Sequence, residues 1–355
     1  QISNLPTTQQ EVIRLTRDVE TSQATYVQLL NKQQEMNILK ASSQGNVRVI
    51  DQAAADEKPF KPQKFVLILL GALAAGLLSS AWYIFRALSR PTLKFADEIK
   101  DLGYNLISSI PVSIAQSKED ARFKRAHRSK NNRPNYLLAY SHPNDIAVET
   151  MRALRTNLHF STIDKKCPTI MITSTTPGVG KSFVSSNLGA VTAQAGQKVL
   201  LIDADMRLGT LHHTFGAPVE DGLSELLQGS ISFDEAVKRT EIGNLDLITR
   251  GHSPQTPSEL LMSQDFIQLL EKAREKYDQI IIDTPPVLAV TDSTVIGKMS
   301  DATLLITRYN YSSADELGES YSRLRGNGID IEGVIFNCIE KNARNYYQYQ
   351  EYTPQ

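Results

Sequence analysis

Hydrophobic residues fall into short continuous runs in the carboxyl-terminal part of the chain. The runs are TIMITST (169–175), KVLLIDAD (198–205), LDLIT (245–249), QIIIDT (279–284), ATLLITR (302–308) and IEGVIFN (331–337). Segments of helical length separate them. Continuous apolar strands that alternate with amphipathic helices are typical of a parallel sheet covered on both faces. We therefore predict an α/β domain over residues 141–340.

A long uncharged run, FVLILLGALAAGLLSSAWYIF, covers residues 65–85. It is long enough to cross a bilayer as a helix, and its basic flanks disfavour the alternative of a buried core helix. Basic residues are densest on the carboxyl side, in ARFKRAHRSKNNR at 121–133, whereas acidic residues offset those on the amino side. The positive-inside rule predicts that the carboxyl side is cytoplasmic. The cluster at 121–133 either contacts anionic lipid or is a solvated linker.

The segment before the membrane run has a seven-residue repeat. Leu5, Val12, Val19 and Tyr26 recur at this interval, which predicts a long helix with a coiled-coil-like seam. The stretch at 45–53 resembles a short strand. The resulting division is a stalk at 1–60, a membrane helix at 65–85, a juxtamembrane linker at 86–140, the α/β domain at 141–340 and a flexible tail at 341–355.

Composition and charge narrow the function classes. The chain has 355 residues, of which 41% are apolar and 22% charged, with a formal net charge of −1. This excludes a disordered protein and gives no general attraction to nucleic acid. Cys167 and Cys338 lie far apart and have no neighbouring histidine cluster, so we interpret them as reduced thiols rather than metal ligands.

A candidate phosphate-binding loop, TTPGVGKSF at 175–183, follows the first strand of the domain. Its small residues let successive amides converge on an anion, Lys181 can reach the outer phosphates, and the Ser182 hydroxyl can ligate Mg²⁺. Thr175 replaces the first glycine of the usual GxxxxGK[ST] pattern. The expected nucleotide contacts are Thr176, Pro177, Gly178, Val179, Gly180, Lys181, Ser182 and Phe183.

Acidic residues follow two further strands. Asp203 and Asp205 occur in LLIDADMR, and Asp283 ends IIID. Ligands of open parallel sheets bind beyond the carboxyl ends of the strands. We expect Ser182, Asp205 and Asp283 to position Mg²⁺, and Asp203 to accept a proton from a hydroxyl nucleophile. Any one of these aspartates alone could be a helix cap.

The phosphate loop, VLLIDADMR and IIIDTPP together resemble the Walker A, A′ and B motifs of bacterial tyrosine kinases (BY-kinases) of the Wzc type, which are relatives of MinD/ParA-type P-loop ATPases. Residues 4–38 and the membrane run resemble the end of the chain-length-determinant (Wzz) region of membrane-bound members. Thr176 stands where a MinD-type ATPase should carry its signature lysine, which favours the kinase branch. The resemblance implies a P-loop NTPase-like parallel sheet after a helical stalk and a transmembrane helix, with a further periplasmic portion before Gln1.

The resemblance also implies cofactors, partners and location. These are ATP and Mg²⁺, a homo-oligomeric ring, the polysaccharide polymerisation and export machinery, a tyrosine phosphatase, and the bacterial inner membrane with a periplasmic stalk and a cytoplasmic kinase domain. Glu149, Arg152 and Arg155 fit the family's E-x-x-R-x-x-R motif at a subunit interface. An exposed ion-pair face is the alternative for this stripe. Asn337 resembles the family's adenine-side asparagine.

The tail NYYQYQEYTPQ at 345–355 contains four tyrosines, Tyr346, Tyr347, Tyr349 and Tyr352. We interpret them as phosphoacceptors that enter the site of a neighbouring copy, whereas we interpret Tyr309, Tyr311 and Tyr321 as packing residues. Two alternatives remain open. In a MinD/ParA-like ATPase switch the phosphate would pass to water, and in a mainly structural polysaccharide co-polymerase the nucleotide would only hold an assembly together.

Overall fold

The computed structural model describes residues 7–42, 64–89, 92–119 and 137–340. The chain divides into two compact units between Ser79 and Ser80. Three predictions lie outside the described residues: the strand at 45–53, the basic cluster at 121–133 and the tyrosine tail.

The first described segments are two long helices. Helix α1 (Thr7–Ser42) agrees with the helix predicted from the seven-residue repeat. Val12, Val19 and Tyr26 are all at least 60% exposed along it, so the partner of a coiled-coil seam stays a prediction. Helix α2 (Lys64–Ser89) contains the uncharged segment Phe65–Phe85, no part of which is buried in the protein. Its length and composition make it a candidate membrane span.

An eight-stranded sheet forms the centre of the second unit. Its spatial order is β1-β8-β7-β2-β6-β3-β5-β4, and every neighbouring pair is parallel except β4 with β5. The strands are β1 (Leu106–Pro111), β2 (Thr169–Ser174), β3 (Val199–Asp203), β4 (Lys238–Arg239), β5 (Leu245–Ile248), β6 (Gln279–Asp283), β7 (Ala302–Arg308) and β8 (Gly333–Ile339). The α/β prediction is therefore confirmed, and all six predicted strands are present.

Helices cover both faces because alternate residues of the central strands point to opposite sides. Met171 of β2 packs into one apolar core, whereas its neighbours Ile170 and Ile172 pack into the other. Residues 114–119 are helical, and the other helices of this unit include α3 (Ala96–Asp101), α4 (Leu138–Ser141), α5 (Ile146–Ser161), α6 (Lys181–Gln194), α7 (Leu211–Phe215), α8 (Leu223–Leu227), α9 (Phe233–Ala236), α10 (Pro257–Leu261), α11 (Gln264–Lys276), α12 (Asp292–Gly297) and α13 (Ala314–Gly326). Each of the central strands β2, β3 and β6 is buried at every residue.

The structure corrects the predicted linker at 86–140. Helix α3 and strand β1 lie within that range, and β1 pairs in parallel with β8 at the edge of the sheet. Ile99 and Ile110 are completely buried, and the Asn105 side-chain amide donates to the Glu332 carbonyl at 2.7 Å. Residues 92–119 are therefore folded against the domain rather than spacing it from the membrane, because their apolar side chains complete its core.

Candidate functional site

The phosphate loop connects β2 to α6 and lies at the carboxyl edge of the sheet, as expected. Gly178 and Gly180 adopt positive φ angles of 81° and 97°, a conformation that glycine tolerates without steric cost. A Cβ on Gly180 would collide with the Asn337 side chain. Among the described residues, no backbone amide from Gly178 to Phe183 donates a hydrogen bond to another protein group. These donors at a helix start are therefore available to an anion.

Asn337, near the end of β8, holds the loop from one side. Its Nδ2 donates to the Val179 carbonyl at 2.8 Å, and its Oδ1 accepts from the Cys338 amide at 2.8 Å. The side chain is 1% exposed. The structure thus brings Asn337 to the loop, while its predicted contact with adenine stays a prediction.

Lys181 is the centre of the charged cluster. Its Nζ lies 2.9 Å from Asp283 Oδ2 and 3.7 Å from Asp205 Oδ2. Burial alone would lower the pKa of Lys181, but the carboxylates of Asp283, Asp205 and Asp203 outweigh it and raise that pKa above its ordinary value. The ammonium group is therefore held in its charged form, which can bind phosphate oxygens as well as carboxylates.

Two serines of α6 orient the Asp283 carboxylate. Ser182 Oγ donates to Asp283 Oδ2 at 2.7 Å, and Ser185 Oγ donates to Asp283 Oδ1 at 2.9 Å. Sequence analysis missed Ser185. Its spacing of three from Ser182 was the available signal, because residues three apart share one face of a helix.

The oxygen atoms of this cluster suit Mg²⁺. In the described ranges, no three Asp, Glu, His or Cys side chains converge closely enough to hold a metal ion by themselves. Ser182, Asp205 and Asp283 nevertheless bring hydroxyl and carboxylate oxygens together around Lys181. Mg²⁺ is commonly bound by one or two carboxylates together with substrate phosphates and water. The donor set therefore fits a magnesium ion that arrives with a nucleotide.

Asp203 is completely buried beside this cluster. The Leu211 amide donates to its Oδ2 at 3.1 Å, while its Oδ1 is buried without a partner among the described residues. A Cβ on Gly209 would collide with the carboxyl group. Burial first, and then the Asp283 carboxylate, raise the pKa of Asp203 to about 8, although Lys181 opposes the shift. An aspartate with this pKa can change its protonation state near neutral pH, as a general acid or base must.

The predicted interface stripe lies on α5. Arg152 forms an ion pair with Glu149, and Arg155 Nη1 donates to the Val191 carbonyl of α6 at 3.2 Å. The structure thus gives the ion-pair face that sequence analysis held as the alternative. An ion-pair face and a subunit interface are compatible interpretations, because Glu149 remains exposed.

The three tyrosines interpreted as packing residues differ in their surroundings. The Tyr321 ring stacks on Tyr104 at 4.5 Å between centroids, and Tyr309 packs near Phe336 at 6.2 Å. For Tyr311 the interpretation is wrong. It is 51% exposed, and its hydroxyl donates to the Pro177 carbonyl of the phosphate loop at 3.0 Å.

Comparisons with known proteins match both units. Residues 7–88 match the family model GNVR, a G-rich domain on tyrosine kinases, and residues 167–321 match AAA_31, an AAA domain. The tyrosine-protein kinase wzc of Salmonella typhimurium is 42% identical over 99% of this chain and 49% of its own length. The tyrosine-protein kinase etk of Escherichia coli K12 is 42% identical over 98% of this chain and 48% of its own length. The chain thus spans about half the length of these curated relatives.

Two solved kinase domains resemble the second unit of this chain. The kinase domain of the Escherichia coli tyrosine kinase ETK superposes with a TM-score of 0.65 at 40% identity, covering 71% of this chain and 97% of that one. The BceF tyrosine kinase domain gives a TM-score of 0.65 at 40% identity, covering 70% of this chain and 99% of that one. The likeness therefore extends over essentially the whole of both solved domains.

Proposed function

Because the chain belongs to the family of bacterial tyrosine kinases of the Wzc and Etk type, we propose that it is an ATP-dependent protein-tyrosine autokinase. One observation carries the proposal. Lys181, Asp283 and the fully buried Asp203 meet at the carboxyl ends of neighbouring strands, beside a loop whose amides have no protein acceptor in the described residues. This arrangement supplies a phosphate cradle, a cation and a candidate base in one place.

Each group has a proposed role. The loop amides and Lys181 neutralise charge on the phosphates of ATP. Asn337 lies on the side of the site that contacts adenine. Ser182, Asp205 and Asp283 would hold Mg²⁺. When bound, Mg²⁺ offsets the charge that develops on the transferred phosphoryl group. Asp203 orients the incoming phenol and accepts its proton, a step that matters late in transfer because a free tyrosine has a pKa near 10.

The proposed acceptors are Tyr346, Tyr347, Tyr349 and Tyr352 of a neighbouring copy. Strand β8 runs parallel to β7 and ends at Ile339, so its carboxyl end lies at the edge of the sheet that carries the site. Glu149, Arg152 and Arg155 would contact the next subunit of a ring. Each phosphate adds about −1.5 to −2 charges, so a heavily modified tail would repel its neighbours and loosen the ring.

The remaining proposals concern the cell. The candidate membrane span, the basic residues after it and the family resemblance support a bacterial inner-membrane protein with a periplasmic stalk and a cytoplasmic kinase domain. The proposed role is control of capsular or extracellular polysaccharide polymerisation and export, with a tyrosine phosphatase resetting the tail. Nucleic acid has no part in it.

The first prediction uses Lys181→Met, with Lys198→Met as the matched control. Lys198 is an exposed lysine just before β3, away from the strand ends that carry the site. After expression, peptide mass spectrometry should find phosphate on residues 345–355 in the unmodified chain and in Lys198→Met, but at least about a hundredfold less in Lys181→Met, because its phosphate-binding cation is gone. Equal tail labelling in both variants would contradict the proposal. ATP turnover without tail labelling would favour the ATPase switch.

A further inference from the structure

Four consecutive carbonyl groups of the phosphate loop, those of residues 176–179, each accept a hydrogen bond from a side chain. The donors are Ser174 Oγ to Thr176 at 3.2 Å, Tyr311 Oη to Pro177 at 3.0 Å, Arg308 Nη1 to Gly178 at 2.7 Å and Asn337 Nδ2 to Val179 at 2.8 Å. Two of these donors, Arg308 and Tyr311, belong to none of the sequence motifs. We call these two residues the outer clamp.

The orientation of the carbonyls decides the orientation of the amides. A trans peptide unit is planar, so a carbonyl and the N–H of the next residue point in opposite directions. If the carbonyls of Pro177, Gly178 and Val179 are held outward, the amides of the three residues that follow them must face the concave side of the loop. Those amides have no protein acceptor among the described residues.

The outer clamp is itself held in place. Arg308 ends β7 and Tyr311 lies in the turn after it, with the guanidinium 5.5 Å from the ring centroid. Asn310 adopts a φ angle of 50°, and its amide donates to the Leu93 carbonyl at 2.8 Å. The Arg308 amide donates to Ser312 Oγ at 3.1 Å. The turn therefore presents both donors from a fixed position.

Neither residue of the outer clamp has another evident structural role. Tyr311 is half exposed, so it contributes little to the core. Within the residues that the structure describes, no carboxylate lies in ion-pair range of Arg308, and the hydrogen bond of its guanidinium goes to Gly178. A hydrogen bond from a charged donor is about twice as strong as a neutral one. The strongest contact of this cation is therefore made with the phosphate loop.

We propose that Arg308 and Tyr311 are positioning residues, which hold the phosphate loop with its amides turned toward the nucleotide phosphates. The inference rests on the proposed use of this loop for nucleotides. Neither side chain needs to touch ATP, because both act through the backbone of 177–179. Without these two side chains the loop would sample orientations in which the amides diverge. Part of the free energy of phosphate binding would then be used to realign the amides.

The test measures nucleotide binding to the full chain purified in detergent, using Arg308→Met and Tyr311→Phe. We expect the dissociation constant of Mg·ADP to rise about tenfold for Arg308→Met and about three- to fivefold for Tyr311→Phe, the usual worth of a charged and a neutral hydrogen bond. Arg308→Lys, which keeps a charged donor, should recover most of the loss. The affinity for AMP, which lacks the β-phosphate that such a loop cradles, should change less than twofold.

A second Arg–Tyr pair in the same protein provides matched controls. The Arg325 guanidinium lies 5.8 Å from the Tyr321 ring centroid, on α13 rather than at the phosphate loop. Arg325→Met and Tyr321→Phe remove the same atoms from a similar stack. They should leave Mg·ADP binding within twofold of the unmodified chain. In steady-state transfer, the clamp variants should raise the KM for ATP in step with the dissociation constant and lower kcat less than threefold.

Three outcomes would overturn the inference. The first is Mg·ADP binding within twofold of the unmodified chain in both clamp variants. The second is an equal loss of ADP and AMP affinity, which would indicate general damage. The third is an unmodified chain that binds no Mg·ADP. Failure of tyrosine transfer is distinguishable from all three. A chain that binds Mg·ADP but labels no tyrosine would contradict the proposed kinase activity without contradicting the positioning role of Arg308 and Tyr311.

Discussion

At the scale of single residues, the buried Asp203 links chemistry to stability. The residue has no exposed surface. It ends β3, where it is the direct pairing partner of Asp283 on the neighbouring strand β6. Burial and that neighbour raise the pKa of Asp203 to about 8 in the folded protein, from 3.8 in an exposed chain. Asp203 thus binds a proton in the folded state at pH values where the unfolded chain does not.

The sign of the resulting pH dependence follows from linkage. Because the folded-state pKa is the higher one, the proton on Asp203 stabilises the nucleotide-free protein fully below about pH 4, and this contribution is lost as the pH rises through about 8. We therefore predict that Asp203→Asn, which cannot ionise, gains stability relative to the unmodified chain between pH 5 and pH 9. The relative gain should be at least about 1 kcal/mol, the worth of a one-unit pKa shift.

Urea denaturation at pH 5 and pH 9 without nucleotide checks this prediction. Asp164→Asn is the control, since Asp164 is exposed in a turn before β2 and its replacement should have the same small effect at both pH values. A difference between Asp203→Asn and the unmodified chain that does not grow with pH would show that burial leaves the Asp203 carboxyl group unperturbed.

Sequence analysis reached the site residues that belong to local patterns. Lys181 and Ser182 open the helix that follows the loop after β2, and Asp283 ends β6, so parallel topology brings them together. Arg308 and Tyr311 could not be found in this way. Arg308 ends a predicted strand, but its proposed contact with the phosphate loop depends on β7 being the neighbour of β2, and that of Tyr311 depends on the path of the turn after β7. The sequence specifies neither.

At the scale of elements, strand β1 and helix α3 make residues 92–119 part of the folded domain. We predict that Ile110→Ala, in β1, lowers the free energy of unfolding of the nucleotide-free chain by about 2–5 kcal/mol, since its side chain is fully buried in the core under α5. Ile114→Ala, four residues later, removes the same atoms from a side chain that is 54% exposed, and should cost less than about 0.5 kcal/mol.

Urea denaturation of both isoleucine variants checks the position of the domain boundary. Equal small losses would mean that Ile110 lies in a linker, as the sequence suggested.

The elements that sequence analysis missed are at the edges of the sheet. The six predicted strands lie in the interior of the strand order, where both faces are covered and nearly every residue is apolar. The edge strands β1 and β4 have fewer apolar residues, and β4 is two residues long. β1 contains Ser108, Ser109 and Pro111. An edge strand pairs on one side only and can include polar residues and proline. Its sequence pattern therefore resembles that of a polar linker.

At the scale of the whole molecule, the central question is which copy supplies the acceptor. The site belongs to the folded domain, whereas the tyrosines belong to a tail that follows β8 by a few residues. We propose that the tail of one copy is the acceptor for the site of another. In the proposed mechanism the tail enters the site of a neighbouring copy, so assembly would control activity.

Mixing two variants tests this claim most directly. One chain keeps Lys181 but has all four tail tyrosines replaced by phenylalanine, and the other carries Lys181→Met with an intact tail. Each should remain unlabelled with Mg·ATP when alone. The proposed mechanism predicts that, once mixed, phosphate appears on residues 345–355 of the Lys181→Met chain, at a rate that rises with the concentration of its partner. An unlabelled tail in the mixture, while the unmodified chain labels its own tail, would contradict transfer between copies.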